Sequence, residues 1–221
     1  HYSPTTRKPV NPDQEEPMHI APYDNRNAPI VDAGNSLAPL NFFGIVTLAR
    51  GERFSSLVPG YETSIVPTTG TADVTVMGQD FPAIGKCCED VWDGEPEDAH
   101  VPSEAAAEIS WVSDDAEFFA AGANYDAVLE PFAVRATAPD VVQYGSNDTE
   151  THRKIKHIHG QKQSGQVGRL LVNELYTIGA GGWSRFPSHK HAIDRLPDET
   201  RHDETYNLRF RPKHGSGMQM L

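Results

Sequence analysis

The chain has 221 residues, with 19 Lys and Arg against 31 Asp and Glu and a formal net charge of −12. A field of that sign repels nucleic acid and anionic lipid, and any anionic small molecule would need a local basic pocket. Hydrophobic residues make up 38% of the sequence and no run of about 18 occurs, so a globular chain without a membrane span is expected.

Residues 1–36 carry Pro4, Pro9, Pro12, Pro17, Pro22 and Pro29, which fix φ and remove backbone donors, so this stretch reads as an N-terminal arm. No apolar signal core is visible in His1–Glu16. A strand-rich region follows over 37–137. Asn41 to Leu48, Thr63 to Val66, Ala72 to Met77, Ile109 to Val112 and Ala127 to Ala136 are β-prone. Turn residues at Pro59-Gly60, Thr69-Gly70, Gly78-Gln79-Asp80 and Gly94-Glu95-Pro96 separate them. Short strands at this spacing predict a barrel or sandwich. Helical periodicity is weak, and Ala105-Ala106-Ala107 offers at most one helical turn. Cys87 and Cys88 are adjacent, a geometry that strains a mutual disulfide and lacks metal or redox spacing. They read as free thiols, which sets a cytoplasmic expectation.

The polar segment 138–165 reads as a linker. Within it, His157-Ile158-His159 has the spacing of a metal-binding pair but no nearby carboxylate strand, so it is set aside as a decoy. A second strand-rich unit opens over Gly168 to Thr177. It continues through Gly181-Gly182-Trp183-Ser184-Arg185-Phe186-Pro187-Ser188-His189-Lys190-His191 to Asp203-Glu204-Thr205-Tyr206.

In a strand, residues two apart share a face, so His189 and His191 can aim both imidazoles at one point. In a strand over Glu204 to Phe210, Glu204, Tyr206, Leu208 and Phe210 would form an inward face, while Thr205, Asn207, Arg209 and Arg211 point outward. A carboxylate opening an apolar inward face needs a partner, and a metal is the usual one. Two imidazoles and a carboxylate suit Zn²⁺, Mn²⁺ or Fe²⁺ better than Ca²⁺ or Mg²⁺. Glu199, in a Pro197-Asp198-Glu199 turn, competes with Glu204 as the carboxylate.

The string Leu175-Tyr176-Thr177, Gly182-Trp183-Ser184, Pro187, His189-Lys190-His191, Asp203-Glu204, Tyr206 and Arg209-Phe210 resembles the 5-deoxy-glucuronate isomerase family of myo-inositol catabolism. The resemblance is specific over about 168–221, and looser over about 40–135, where Gly70, Gly78, Gly85, Gly94 and Val101-Pro102 fall in the family's order. It implies an all-β bicupin of two jelly-roll barrels. Residues 37–137 would form a first barrel without metal, and 138–221 a linker and the first part of a second, metal-binding barrel. The pattern breaks off at Leu221, so the second barrel is expected to be incomplete in this chain. By the same resemblance His189, His191 and Glu204 are metal ligands, with a fourth, a histidine, expected beyond Leu221. The implied reaction is the aldose–ketose conversion of 5-deoxy-D-glucuronate to 5-dehydro-2-deoxy-D-gluconate.

Such a reaction passes through an enediolate, whose charge a divalent metal stabilises while a base moves the proton. Tyr206, on the face of Glu204, is a candidate base, with Glu199 and His202 as others. The substrate carboxylate needs a cationic clamp, and Arg153, Arg185 and Lys190 are the candidates. The partners expected are a sugar-acid small molecule and further copies of the chain in a homo-oligomer, with neither nucleic acid nor membrane. Competing readings are a ketol-isomerase of pectin-derived uronates, a non-catalytic sugar-acid-binding cupin and an Fe²⁺ dioxygenase.

Overall fold

The structure is a computed structural model that describes residues 27–34, 37–85, 90–114, 116–147, 149–184, 191 and 193–219. Cys87, Cys88 and most of the N-terminal arm lie outside the described residues.

Alternation of apolar and small side chains writes most of the strands. Along Asn41–Leu48, Phe42, Val46 and Leu48 are buried while their neighbours are more exposed, the pattern of a strand with one face on a core. The strands in chain order are β1 (Pro29–Val31), β2 (Asn41–Leu48), β3 (Arg53–Leu57), β4 (Tyr61–Thr69), β5 (Thr71–Val76), β6 (Gln79–Gly85) and β7 (Asp98–Val101). They continue with β8 (Ala106–Trp111), β9 (Ala116–Asn124), β10 (Phe132–Val134), β11 (Asp140–Tyr144), β12 (Arg153–His159) and β13 (Val172–Thr177). Among the described residues the one helical element is a 3₁₀ turn over Gln161–Gln163.

Two antiparallel sheets pack face to face, in the orders β1-β2-β9-β4-β7-β10 and β3-β8-β5-β6. Taken from β2 to β9, this is the strand order of a jelly roll. Its core is a single apolar cluster that includes Phe42, Val46, Ile65, Val74, Ile109, Trp111 and Phe118. Met77 and Gly78 connect β5 to β6 with φ of 52° and 79°. Two positive φ values in a two-residue hairpin give the turn whose twist matches the strands it joins.

The third sheet, β11-β12-β13, lies against the outer face of the six-stranded sheet through β12. Three expectations are corrected here. The stretch 138–165 is no mere linker, because it contains β11 and β12. Those strands read as polar because β12 buries Lys156 and His159 against ionic partners instead of apolar ones. The alanines at 106–107 open β8 and form no helical turn, since Ala107, Ile109 and Trp111 alternate into the core. Tertiary burial overrides alanine's helical preference. Of Ala127–Ala136 only Phe132–Val134 is strand, while β9 was hidden by its small residues.

Candidate functional site

The C-terminal run 201–210 forms no strand among the described residues, yet its alternation survives in what each side chain meets. Asp203 accepts the Leu40 N–H at 3.0 Å, and Thr205 accepts from the Asn41 amide at 3.0 Å. Arg209 is ion-paired with Glu117 and lies 5.0 Å above the Phe119 ring. Arg211 reaches Asp93 at 3.5 Å. Odd-numbered side chains therefore face the sandwich, while Tyr206, Leu208 and Phe210 are 43%, 60% and 37% exposed. This inverts the expected inward and outward faces. The sandwich edge offers charges and a backbone donor, which the odd face satisfies.

On the even face Tyr206 donates from its hydroxyl to Glu204 Oε2 at 2.8 Å. Upstream, the loop from His191 to His202 closes on itself. The His202 N–H donates to the His191 carbonyl at 3.1 Å, and the two imidazoles meet edge to face with centroids 4.8 Å apart. The Arg201 N–H donates to Asp194 Oδ1, and Arg195 bridges Glu199. Glu199 keeps one buried carboxylate oxygen, Oε1, without a hydrogen bond. The structure thus pairs His191 with His202 and Glu204 with Tyr206. His191 is not in a strand, contrary to expectation. Arg185, His189 and Lys190 lie outside the described residues. Among the described residues no three His, Cys, Asp or Glu side chains converge as a metal site would require.

Arg153 sits elsewhere, on β12, with its guanidinium 4.6 Å above the Tyr144 ring. It shares the outer face of the three-stranded sheet with His157, whose Nδ1 lies 2.7 Å from Asn173 Oδ1. His157 and His159 do not share a face, because the register shifts between them. The bulge turns His159 inward, where it is 1% exposed.

That inward turn completes a sealed polar cluster that the sequence did not reveal. Glu62, Ser64, Asp98 and His100 are all fully buried. The His100 Nε2–H donates to Glu62 at 3.1 Å. Three successive backbone N–H groups, from Gly168, Arg169 and Leu170, donate to the same carboxylate at 2.9, 2.5 and 2.8 Å. Burial pushes the Glu62 carboxyl up, but His100 and these three donors outweigh it and hold it below the ordinary glutamate range. Ser64 donates to Asp98, and His159 Nε2 lies 2.9 Å from the same Asp98 oxygen. The serine bonds the aspartate rather than the histidine and the group is closed to solvent, so this is no nucleophile. Beside it, buried Lys156 meets Glu95 at 3.1 Å, the Gly94 carbonyl at 2.8 Å and the Tyr176 ring at 4.8 Å. Burial and then the Glu174 carboxylate raise the Tyr176 phenol, which stays a donor to Glu174 and the Val91 carbonyl. Together these groups fasten β12 and β13 to the sandwich.

The sequence profile of the KduI/IolB family matches residues 20–221. The 5-deoxy-glucuronate isomerase of Bacillus subtilis strain 168 is 31% identical over 182 residues, 81% of this chain and 64% of that relative. The protein of the same name from Listeria monocytogenes is 26% identical over 201 residues, covering 88% of this chain and 72% of its own. The chain therefore spans just under two thirds of the Bacillus relative's length. The crystal structure of an "iolb-like protein" from Salmonella typhimurium LT2 superposes with a TM-score of 0.65 at 23% identity. That match covers 73% of this chain and 59% of the other, and it shows the same fold.

Proposed function

The chain belongs to the KduI/IolB family, and from that premise we propose that it is the isomerase of 5-deoxy-D-glucuronate, forming 5-dehydro-2-deoxy-D-gluconate. The name shared by its curated relatives carries this reading. In this reading 1–36 is an arm, 37–137 a first barrel without metal, and 138–221 opens a second barrel.

Aldose–ketose isomerisation moves one proton between neighbouring carbons and leaves the redox balance unchanged. His189, His191 and Glu204 would hold a divalent metal, and two imidazoles with one carboxylate fit Zn²⁺, Mn²⁺ or Fe²⁺ by donor chemistry. Such an ion, when bound, polarises the carbonyl and neighbouring hydroxyl. Tyr206 fixes one Glu204 oxygen by its 2.8 Å hydrogen bond, the usual way an outer group aims a ligand. Tyr206 is the proton carrier this reading favours, and His202, against the His191 ring, is its rival. Arg185 and Lys190 flank His189 in sequence and would take the substrate carboxylate at the metal end.

The test is metal content and isomerase turnover of the purified chain beside a His189→Ala/His191→Ala variant. Near-stoichiometric metal that the variant loses, with turnover of 5-deoxy-D-glucuronate lost alongside, supports the reading. Metal-free protein that still turns over the substrate refutes the ligand set. Preference for a pectin-derived uronate refutes the substrate.

A further inference from the structure

Glu204 lies in a run that forms no strand, so no β-ladder fixes its backbone among the described residues. A working ligand has to be held to within about 0.5 Å by the groups around it. The residues on either side of Glu204 supply that hold. Asp203 Oδ2 accepts the Leu40 N–H at 3.0 Å, and the carboxylate is 4% exposed, with Oδ1 3.9 Å from the Arg201 guanidinium. Thr205 Oγ1 accepts from the Asn41 amide at 3.0 Å. Fastening 203 and 205 to the sandwich turns Glu204 away from it, to the side where the Tyr206 hydroxyl meets its carboxylate at 2.8 Å.

Both contacts land on one turn, and that turn is itself held. The Asn41 N–H donates to the Ala38 carbonyl at 3.0 Å, and the Asn124 N–H, at the end of β9, donates to the Leu40 carbonyl at 2.8 Å. Tyr61, 6% exposed at the head of β4, donates its hydroxyl to the Pro39 carbonyl at 2.7 Å. Burial, and then the Asp32 and Asp203 carboxylates, raise the Tyr61 phenol, so it stays a donor. The turn over 38–41 is thus tied to β2, β4 and β9 of the six-stranded sheet. The far end of the run is fastened differently. Arg211 reaches Asp93 at 3.5 Å with both side chains largely in water, seven residues beyond Glu204.

We propose that Asp203 and Thr205 are positioning residues for Glu204, which they aim from the Leu40–Asn41 turn of the sandwich. The inference rests on the reading of Glu204 as a metal ligand and deepens it. Asp203 and Thr205 touch neither metal nor substrate and act through the carboxylate between them.

The experiment is calorimetric titration of the full chain with Zn²⁺, Mn²⁺ and anaerobic Fe²⁺, each alone, continued in the variants with the ion that the parent holds tightest. Asp203→Ala is expected to weaken that ion about 10–100-fold, the usual cost of losing a group that orients a ligand. Asp203→Asn keeps an acceptor oxygen for the Leu40 N–H and is expected to stay within about threefold of the parent. Thr205 is exposed, so Thr205→Val removes its contact without disturbing a core, and about a tenfold loss is expected. Arg211→Ala loosens the same run at its far end and is expected to bind as the parent does. Parental affinity in Asp203→Ala and Thr205→Val, while Glu204→Ala loses the metal, would overturn the positioning role and leave the ligand standing. Arg211→Ala weakening the ion as much as Asp203→Ala, or Asp203→Asn failing to restore it, would overturn the role as well, since the contacts would then serve only to dock the run. Parental affinity in Glu204→Ala, or a parent that takes up none of the three ions, would overturn the ligand reading and with it the role.

Discussion

Phe118 and Asp98 are both sealed from water in the same six-stranded sheet, and they answer to different physics. Phe118 stands in an apolar core where its rings of neighbours include Phe54 and Trp111. Asp98 stands on the other face, where Ser64 donates to one of its oxygens with His159 Nε2 2.9 Å from the same atom, and the other, Oδ1, has no hydrogen bond. Strand β4 runs through both worlds. Tyr61 and Ile65 enter the sandwich core, while Glu62 and Ser64 enter the polar joint under β12. The apolar face gains from burial in proportion to area and tolerates small shifts. The polar joint gains only while every buried charge keeps its partner, and one missing partner is costly.

The largest effect expected on the sandwich side is Phe118→Ala, at about 3–5 kcal/mol, read as a lower denaturation midpoint of the whole fold. Asp98→Ala is expected to cost about 3 kcal/mol, because it strands His159 and Ser64 in a dry site. The two differ in where the loss appears. Hydrogen exchange should quicken throughout the β2–β9 and β4–β9 ladders in Phe118→Ala. In Asp98→Ala it should quicken in β12 and β13 and leave those ladders protected. Equal exchange in both sets of amides would mean that joint and sandwich open together, and the distinction would fall.

Glu62→Gln ranks next, at about 2 kcal/mol, since it turns one acceptor oxygen into a donor that faces backbone N–H groups. The same residue gives the joint a pH dependence. Its folded carboxyl is held below the ordinary value of 4.5. The stabilisation is therefore fully present above the unfolded value and is lost as pH falls through the lower, folded one. Acid titration followed by exchange at Gly168, Arg169 and Leu170 should show these amides released on that descent. In Glu62→Gln they should be released already at neutral pH. Amides that stay protected in the variant would show that the carboxylate does not hold the turn. Gly168 belongs to this device too, because a Cβ there would run into the Tyr125 ring.

The sandwich was legible in the sequence because one-sided burial leaves a period of two. Asn41–Leu48 emerges as β2 with the same bounds, and Ala72–Met77 overlaps β5. Only Thr63–Val66 of β4 was read, since burial on both faces, one of them polar, erases the alternation. The joint was illegible for a further reason. Glu62 and His100 are 38 residues apart, and Ser64 and Asp98 are 34 apart, so no local spacing marks them. His157 and His159 have the spacing of a pair on one face, and the bulge between them gives the two separate roles. In the candidate site, Glu204 to Phe210 forms no strand, and the side chains that meet the sandwich are the odd-numbered ones expected to point outward. That choice depends on partners at Leu40, Asn41 and Glu117, far away in the chain.

The smallest prediction concerns an ion pair in the opposite setting, at the surface. Arg50 and Asp114 lie 3.2 Å apart, with side chains 71% and 88% exposed. Water and salt screen that attraction, and both side chains lose rotamer freedom to form it, so Arg50→Ala should cost about 0.5 kcal/mol or less. Asp98 and His159 are no closer in kind, yet their environment leaves no water to take over when one partner goes. Denaturation midpoints of Arg50→Ala and Asp98→Ala, measured in the same salt series, separate the two cases. The exposed pair should fade as salt rises, while the deficit of the buried one should persist. A buried deficit that vanished with salt would show water reaching the joint, and the two faces of the sheet would no longer differ in kind.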